Sequence, residues 1–219
     1  NLLRKICSRK FMRRYIAELL GTFAIVFFGT GAIIVNQQYN AVVSHAGMAI
    51  TAGFIVMCMI YAFGNISGAH FNPAVTLAFF LAKRFEAKQL LPYFTAQFAG
   101  AFAASMVLRL LFPDNTSLGI TQPSGSELQS FVLECILSFF LILVILSVAQ
   151  GSKEQGMFAG LAIGAVVLLE AMFAGPVSGA SMNPARSLAP AVVSLHTEHV
   201  WIYLVAPLLG TSLSVPVWK

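Results

Sequence analysis

The sequence predicts an all-α membrane protein, with six transmembrane helices and two re-entrant half-helices in an inverted repeat. Three observations carry that prediction. Of 219 residues, 58% are hydrophobic and 10% charged, against about 25% charged in a soluble domain, and the mean hydropathy is +0.82. Apolar segments lie near 14–35, 44–64, 88–111, 128–150, 157–174 and 200–217, each long enough to cross about 30 Å of hydrocarbon at about 1.5 Å per residue. Finally, the stretch Ser67-Gly68-Ala69-His70-Phe71-Asn72-Pro73-Ala74 returns as Ser178-Gly179-Ala180-Ser181-Met182-Asn183-Pro184-Ala185.

The first segment follows a basic cluster, Arg4, Lys5, Arg9, Lys10, Arg13 and Arg14. A cleaved leader would hold an apolar core of only about 7–15 residues, so the longer run at 15–35 is expected to stay as a helix. The chain opens at Asn1 rather than Met, as expected of a sequence trimmed at its start. Lys83, Arg84 and Lys88, then Lys153, then Lys219 fall on the same side as that cluster if the segments alternate, while loops 36–43 and 112–127 hold no Lys or Arg. The positive-inside rule puts both termini in the cytoplasm and those two loops outside. The net charge of +5 is thereby an orientation signal in a cell-membrane protein, and nucleic acid is not among the expected partners.

The segments 72–82 and 183–193 are too short to cross. Asn is a good helix N-cap and Pro is favoured at the first helical position, so each Asn-Pro-Ala is read as the start of a short helix. Half-length helices after a Gly-rich turn belong where irregular backbone lines a cavity. The halves also match elsewhere: Glu134 lies 116 residues after Glu18, Asn183 lies 111 after Asn72, and Pro207-Leu208-Leu209-Gly210 lies 110 after Gln97-Phe98-Ala99-Gly100. Three spans per half force opposite orientations, so residues 1–219 are read as a single channel domain with inverted repeats at about 13–111 and 128–217.

Such a repeat brings the two half-helix N-termini together near the midplane. Each carries roughly half a positive charge, so their meeting point repels cations. With their carbonyl oxygens used in capping, Asn72 and Asn183 keep amide N–H groups that can donate to a neutral solute. Arg186 is the only charge in either half-helix, and an intramembrane charge points to function; the bland alternative is an Arg that snorkels to the outer interface. Glu18 and Glu134 are read as acceptors for irregular backbone before the half-helices, with a proton relay as the other reading. His70 fits the inner mouth or a hydrogen-bonded packing role. His45, His196 and His199 look interfacial. No Cys or His spacing suggests a disulfide or a metal, and no cofactor is indicated.

With paired Asn-Pro-Ala motifs, a Glu in segments one and four, and Arg three residues after the second Asn, the chain resembles the aquaporin family over nearly its whole length. The run 173–186 and Gly64-Asn65-Ile66-Ser67-Gly68-Ala69-His70 look most like its nodulin-26-like branch and bacterial relatives. The resemblance implies a filter of four positions, which fall on Ala52, Ala171, Ala180 and Arg186. In strict water channels the first two are typically an aromatic and a His, so two alanines imply a wide filter. Ser187 and Ala191 look water-channel-like, and Glu170 departs from the Asn common in plant relatives, with no role assigned. The resemblance also implies a homotetramer with one pore per protomer, and small residues such as Ala99-Gly100-Ala101 suit close helix packing.

The expected function is a passive channel for water and small uncharged solutes (glycerol, urea, or metalloid acids such as boric, silicic or arsenous acid) that excludes ions and protons; it is not an enzyme. The nearest alternative is a strictly water-selective channel. An ion-coupled transporter would need a titratable group between the motifs, where only Asn is found, and a structural membrane protein would use the same fold with negligible flux.

Overall fold

The computed structural model describes residues 2–149 and 156–219, with side chains described from residue 11 onward; Lys153 lies outside the described residues. Eight α-helices of eight residues or more occur among them: α1 (Leu2–Gln38), α2 (Ser44–Ser67), α3 (Pro73–Leu81), α4 (Leu90–Leu111), α5 (Glu127–Val148), α6 (Ala159–Ser178), α7 (Pro184–Ser194) and α8 (Val200–Trp218). Six of them are long and apolar enough to span a membrane. At 9 and 11 residues, α3 and α7 rise only about 14 and 17 Å, half a bilayer.

Two boundaries differ most from the sequence reading. The first helix begins at Leu2 rather than near residue 14, because Lys and Arg are good helix formers and no Gly or Pro precedes Gly21. The fifth span continues past 174 to Ser178 through Pro176. A proline there removes one intrahelical donor, the one that would reach the Met172 carbonyl, and His45 Nε2 lies 2.7 Å from that oxygen instead.

Each half-helix is buried against the other half of the chain. α3 packs on α5 and α8 as well as α4, and α7 on α1 and α4 as well as α8. Val75, Ala78 and Ala82 share one buried cluster with Leu141, Ile142 and Ile145, and Ala185 and Ala189 share another with Val26, Ala101 and Ala104. A Cβ on Gly100 would run into the Leu19 carbonyl, and one on Gly210 into that of Cys135, so α1–α4 and α5–α8 cross backbone against backbone. Gly100 and Ala101 are thus buried inside the chain, while Ala99 stays exposed. The outward face is apolar, with Phe28, Phe54, Leu110, Phe140, Phe173 and Leu213 among its exposed side chains, as a lipid-facing surface requires.

Candidate functional site

The loops leading into α3 and α7 take the same unusual path. Gly68 and Gly179 cap α2 and α6 at φ 90° and 89°, and four non-glycine residues also have positive φ: Ala69, Phe71, Ala180 and Met182. Each such residue costs on the order of 1–3 kcal/mol and persists only if its surroundings hold it. Two buried carboxylates do so. Glu18 accepts from the His70 N–H at 3.0 Å and the Phe71 N–H at 2.7 Å, and Glu134 accepts from the Ser181 and Met182 N–H groups, both at 2.9 Å. Tyr93 and Tyr203 each donate a hydroxyl at 2.6 Å to the last carbonyl of the preceding long helix, Ser67 and Ser178 respectively.

Both half-helices start on an asparagine cap. The Asn72 Oδ1 accepts from Ala74 N–H, and the Asn183 Oδ1 accepts from the Ala185 and Arg186 N–H groups, with Pro73 and Pro184 in the first turn. The amides then cross over: Asn72 Nδ2 donates to Met182 O at 2.8 Å and Asn183 Nδ2 to Phe71 O at 3.1 Å. The two helix N-termini are therefore tied to each other's loop. Each amide has a second N–H beyond that bond.

A cavity of about 1020 Å³ is lined by both loops, by Asn72, Asn183 and Arg186, and by Ala52, Ala171 and Ala180. Its lining extends from Ile33, His45 and Gln122 to Tyr61, Met157 and Gly160. The four positions assigned to the filter by resemblance are thus brought to one wall system. The Arg186 guanidinium is fixed by donation to the Gly119 carbonyl at 2.9 Å, and no carboxylate lies within ion-pair range of it among the described residues. His70 also lines the cavity, with Nδ1 3.1 Å from Thr76 Oγ1 and its ring stacked on Phe79 at 4.7 Å; it is both a lining and a packing residue.

Sequence reasoning missed several parts. Gly68, Ala69, His70, Gly179, Ala180 and Ser181 all line the cavity, and their carbonyls receive no hydrogen bond among those found for the described residues, which leaves them free as acceptors. A hydroxyl chain from Thr121 through Ser187 to Ser181 ties the loop before α5 to α7. Gln97 Nε2 donates to both Glu18 and Thr76. His45 is half-buried and lines the cavity, where the sequence suggested an interfacial residue. Glu170 is buried, and neither carboxylate oxygen finds a donor among the described residues.

Comparison with known proteins places these features in a wider group. The family model for the major intrinsic proteins matches residues 5–218. The chain is 48% identical to aquaporin NIP1-1 of Oryza sativa subsp. japonica over 204 residues, 93% of this chain and 72% of that protein. It is 45% identical to nodulin-26 of Glycine max over 206 residues, 94% of this chain and 76% of that one. Among solved structures, the aquaglyceroporin from Plasmodium falciparum superposes with a TM-score of 0.86 at 26% identity, covering 95% of each chain.

Proposed function

The chain belongs to the major intrinsic protein family and is a multi-pass membrane channel of the aquaporin type, not an enzyme; from that premise we propose that it conducts water together with small uncharged solutes such as glycerol, urea and boric, silicic or arsenous acid, and excludes ions and protons. The observation that carries the reading is the company Arg186 keeps. Three methyl side chains, Ala52, Ala171 and Ala180, share its cavity, and none of them narrows the passage as an aromatic or a histidine would. The likeness to a protein named as an aquaglyceroporin supports solutes beyond water.

In this mechanism a solute sheds its water on entering a narrow lumen. Arg186 and the second N–H groups of Asn72 and Asn183 donate to its oxygens, while the loop carbonyls at 68–70 and 179–181 accept from its hydroxyls. Desolvation is thus offset for a small neutral polyol, and a cation meets one fixed positive charge and two helix N-termini instead. Glu18, Glu134 and His70 support the loops that carry these groups. A strictly water-selective channel is the second reading, favoured by Ser187 and Ala191 after the second motif.

The same proposal takes residues 1–219 as one channel domain with inverted repeats at about 13–111 and 128–217, both termini in the cytoplasm, working as a homotetramer in the cell membrane. Thiol labelling from outside intact cells should reach an engineered Ser117→Cys and leave Cys7 unlabelled; the reverse pattern overturns the orientation. Light-scattering mass measurement in detergent should give four protomers per particle.

Stopped-flow shrinkage and reswelling of proteoliposomes tests the function itself. Water, glycerol, urea and arsenous acid should all cross faster than in empty vesicles. Water flux without measurable flux of any larger solute would leave the water-selective channel; no flux at all would sink both readings.

A further inference from the structure

Pro176 sits two residues from the end of α6. Having no N–H, it leaves the carbonyl four residues earlier, that of Met172, without its intrahelical donor. An unpaired backbone carbonyl inside a membrane protein is costly. His45, in the first turn of α2, brings Nε2 to 2.7 Å from that oxygen across 127 residues of sequence. A carbonyl only accepts, so Nε2 carries the proton.

The fit around this contact is close. A Cβ on Gly175 would lie 2.9 Å from the His45 Cε1, so the imidazole rests against bare helix backbone where any larger residue would push it away. α2 and α6 touch closely at two further levels: a Cβ on Gly53 would run into the Gly164 carbonyl and Leu168, and one on Gly160 into the Tyr61 ring. The first contact is one residue from Ala171 and the second is one residue from Ala52. His45 and both alanines line the same cavity.

We propose that His45 is a positioning residue of the filter: by donating to the carbonyl that Pro176 leaves bare, it sets how far the Ala171 stretch of α6 stands from Ala52 on α2, and so sets the pore's cross-section. Histidine, glycine and proline form one unit in this arrangement. The proline opens an acceptor, the glycine opens a seat, and the histidine fills both. The proposal rests on the channel reading above for its readout.

The test uses four variants of the full chain in proteoliposomes. His45→Phe keeps a ring and loses the donor; His45→Gln keeps a donor; Pro176→Ala restores the backbone N–H; and the double variant His45→Phe with Pro176→Ala supplies that N–H in place of the imidazole. The glycerol-to-water permeability ratio should shift by roughly three- to tenfold in His45→Phe, the factor that one ordinary hydrogen bond carries. It should return towards wild type in His45→Gln and in the double variant. A ratio unchanged by His45→Phe, or a double variant no closer to wild type than His45→Phe alone, overturns the proposal. If His45→Phe fails to assemble, recovery of folded, water-permeable protein in the double variant supports the same donor–acceptor link, and failure of the double variant as well overturns it. If wild-type protein passes water and no glycerol, only the wide-filter reading has failed; the four variants are then ranked on water flux, where the same pattern of loss and rescue is expected.

Discussion

Three residues past its capping asparagine, one half-helix carries Val75 and the other Arg186. Around that difference the two sites are alike. Each strained loop hangs from one buried glutamate, each asparagine reaches across to the opposite loop, and each preceding helix end is held by one tyrosine. The unlike parts fall on one side or the other. Around α3 the loop histidine packs among Phe79, Phe85 and Tyr93, and Val75 is buried in the apolar cluster. Around α7 the corresponding positions are Ser181 and Arg186, joined to a hydroxyl chain and to the Gly119 carbonyl.

The comparison separates geometry from selectivity. What the halves share ties two helix N-termini to each other's loop beside the cavity, a job that symmetry can do twice. What they do not share puts a fixed cation and its polar scaffold at α7 only, and an apolar, aromatic-braced histidine at α3.

The largest expected effects come from the shared parts. Glu18→Ala and Glu134→Ala each leave two buried loop N–H groups without an acceptor, and Gln97 loses one of its two acceptors or Ser178 its carboxylate partner as well. Removing one side of such a buried charged cluster costs about 3–5 kcal/mol. Both variants should melt far below wild type in detergent and yield little active protein, by similar amounts. Glu134→Gln, which keeps one acceptor oxygen, should recover part of the loss. If one alanine variant is well tolerated, the two cradles are not equivalent.

Next comes the unshared residue. Arg186→Val gives α7 the side chain that α3 already has. A cation about 5 Å from a fixed charge, at an effective dielectric near 20, is repelled by roughly 3 kcal/mol, so cation or proton leak should rise by up to about a hundredfold while water flux persists. Conductance of liposomes under an imposed potential reads this directly. An unchanged leak would mean that the two helix N-termini suffice for exclusion, and the asymmetry would then concern solute size alone.

How much of this was open to sequence reading follows from the range of each interaction. Spans, half-helices and asparagine caps are local, and hydropathy and capping chemistry declare them. Glu18 and Glu134 stand out because a carboxylate inside an apolar run needs donors, although the donors themselves, the N–H groups of 70–71 and 181–182, follow from loop geometry that no spacing encodes. The filter positions came from resemblance, not from periodicity. His45 was read as interfacial because its partner is a carbonyl in another helix, exposed to bonding by a proline four residues further on. The Gly119 carbonyl that holds Arg186 had no signal at all, since any residue type supplies a carbonyl.

A third prediction tests the cavity wall at Ala52. Ala52→Trp puts a rigid indole into a passage only slightly wider than its solute, and short-range repulsion should rise faster for glycerol than for water. Glycerol flux should fall by about tenfold relative to water, an effect of roughly 1.4 kcal/mol. Ala171→His should act in the same direction. Stopped-flow reswelling in glycerol beside shrinkage in sucrose measures the ratio. Equal losses for both solutes would move residue 52 out of the filter.

The smallest expected effect concerns the third buried glutamate. Glu18 and Glu134 are surrounded by donors, whereas Glu170, one residue from Ala171, has none among the described residues. Burying a polar group without a hydrogen bond costs about 1–3 kcal/mol on protein scales, and a hydrophobic side chain of similar volume avoids that cost. Glu170→Leu should therefore leave the melting temperature unchanged or raise it, by the equivalent of about 1 kcal/mol, in contrast to the collapse expected for Glu18→Ala and Glu134→Ala. The glycerol-to-water ratio should stay within about twofold of wild type, because Glu170 is not among the cavity-lining residues and supplies none of the groups that a solute meets. Thermal melts in detergent and the same stopped-flow ratio decide it. A marked loss of stability in Glu170→Leu would mean that the carboxylate does find a donor, one that is not among the described residues. A changed ratio with unchanged stability would instead make Glu170 a support of the filter wall, and the two halves would differ in a second charge as well as in Arg186.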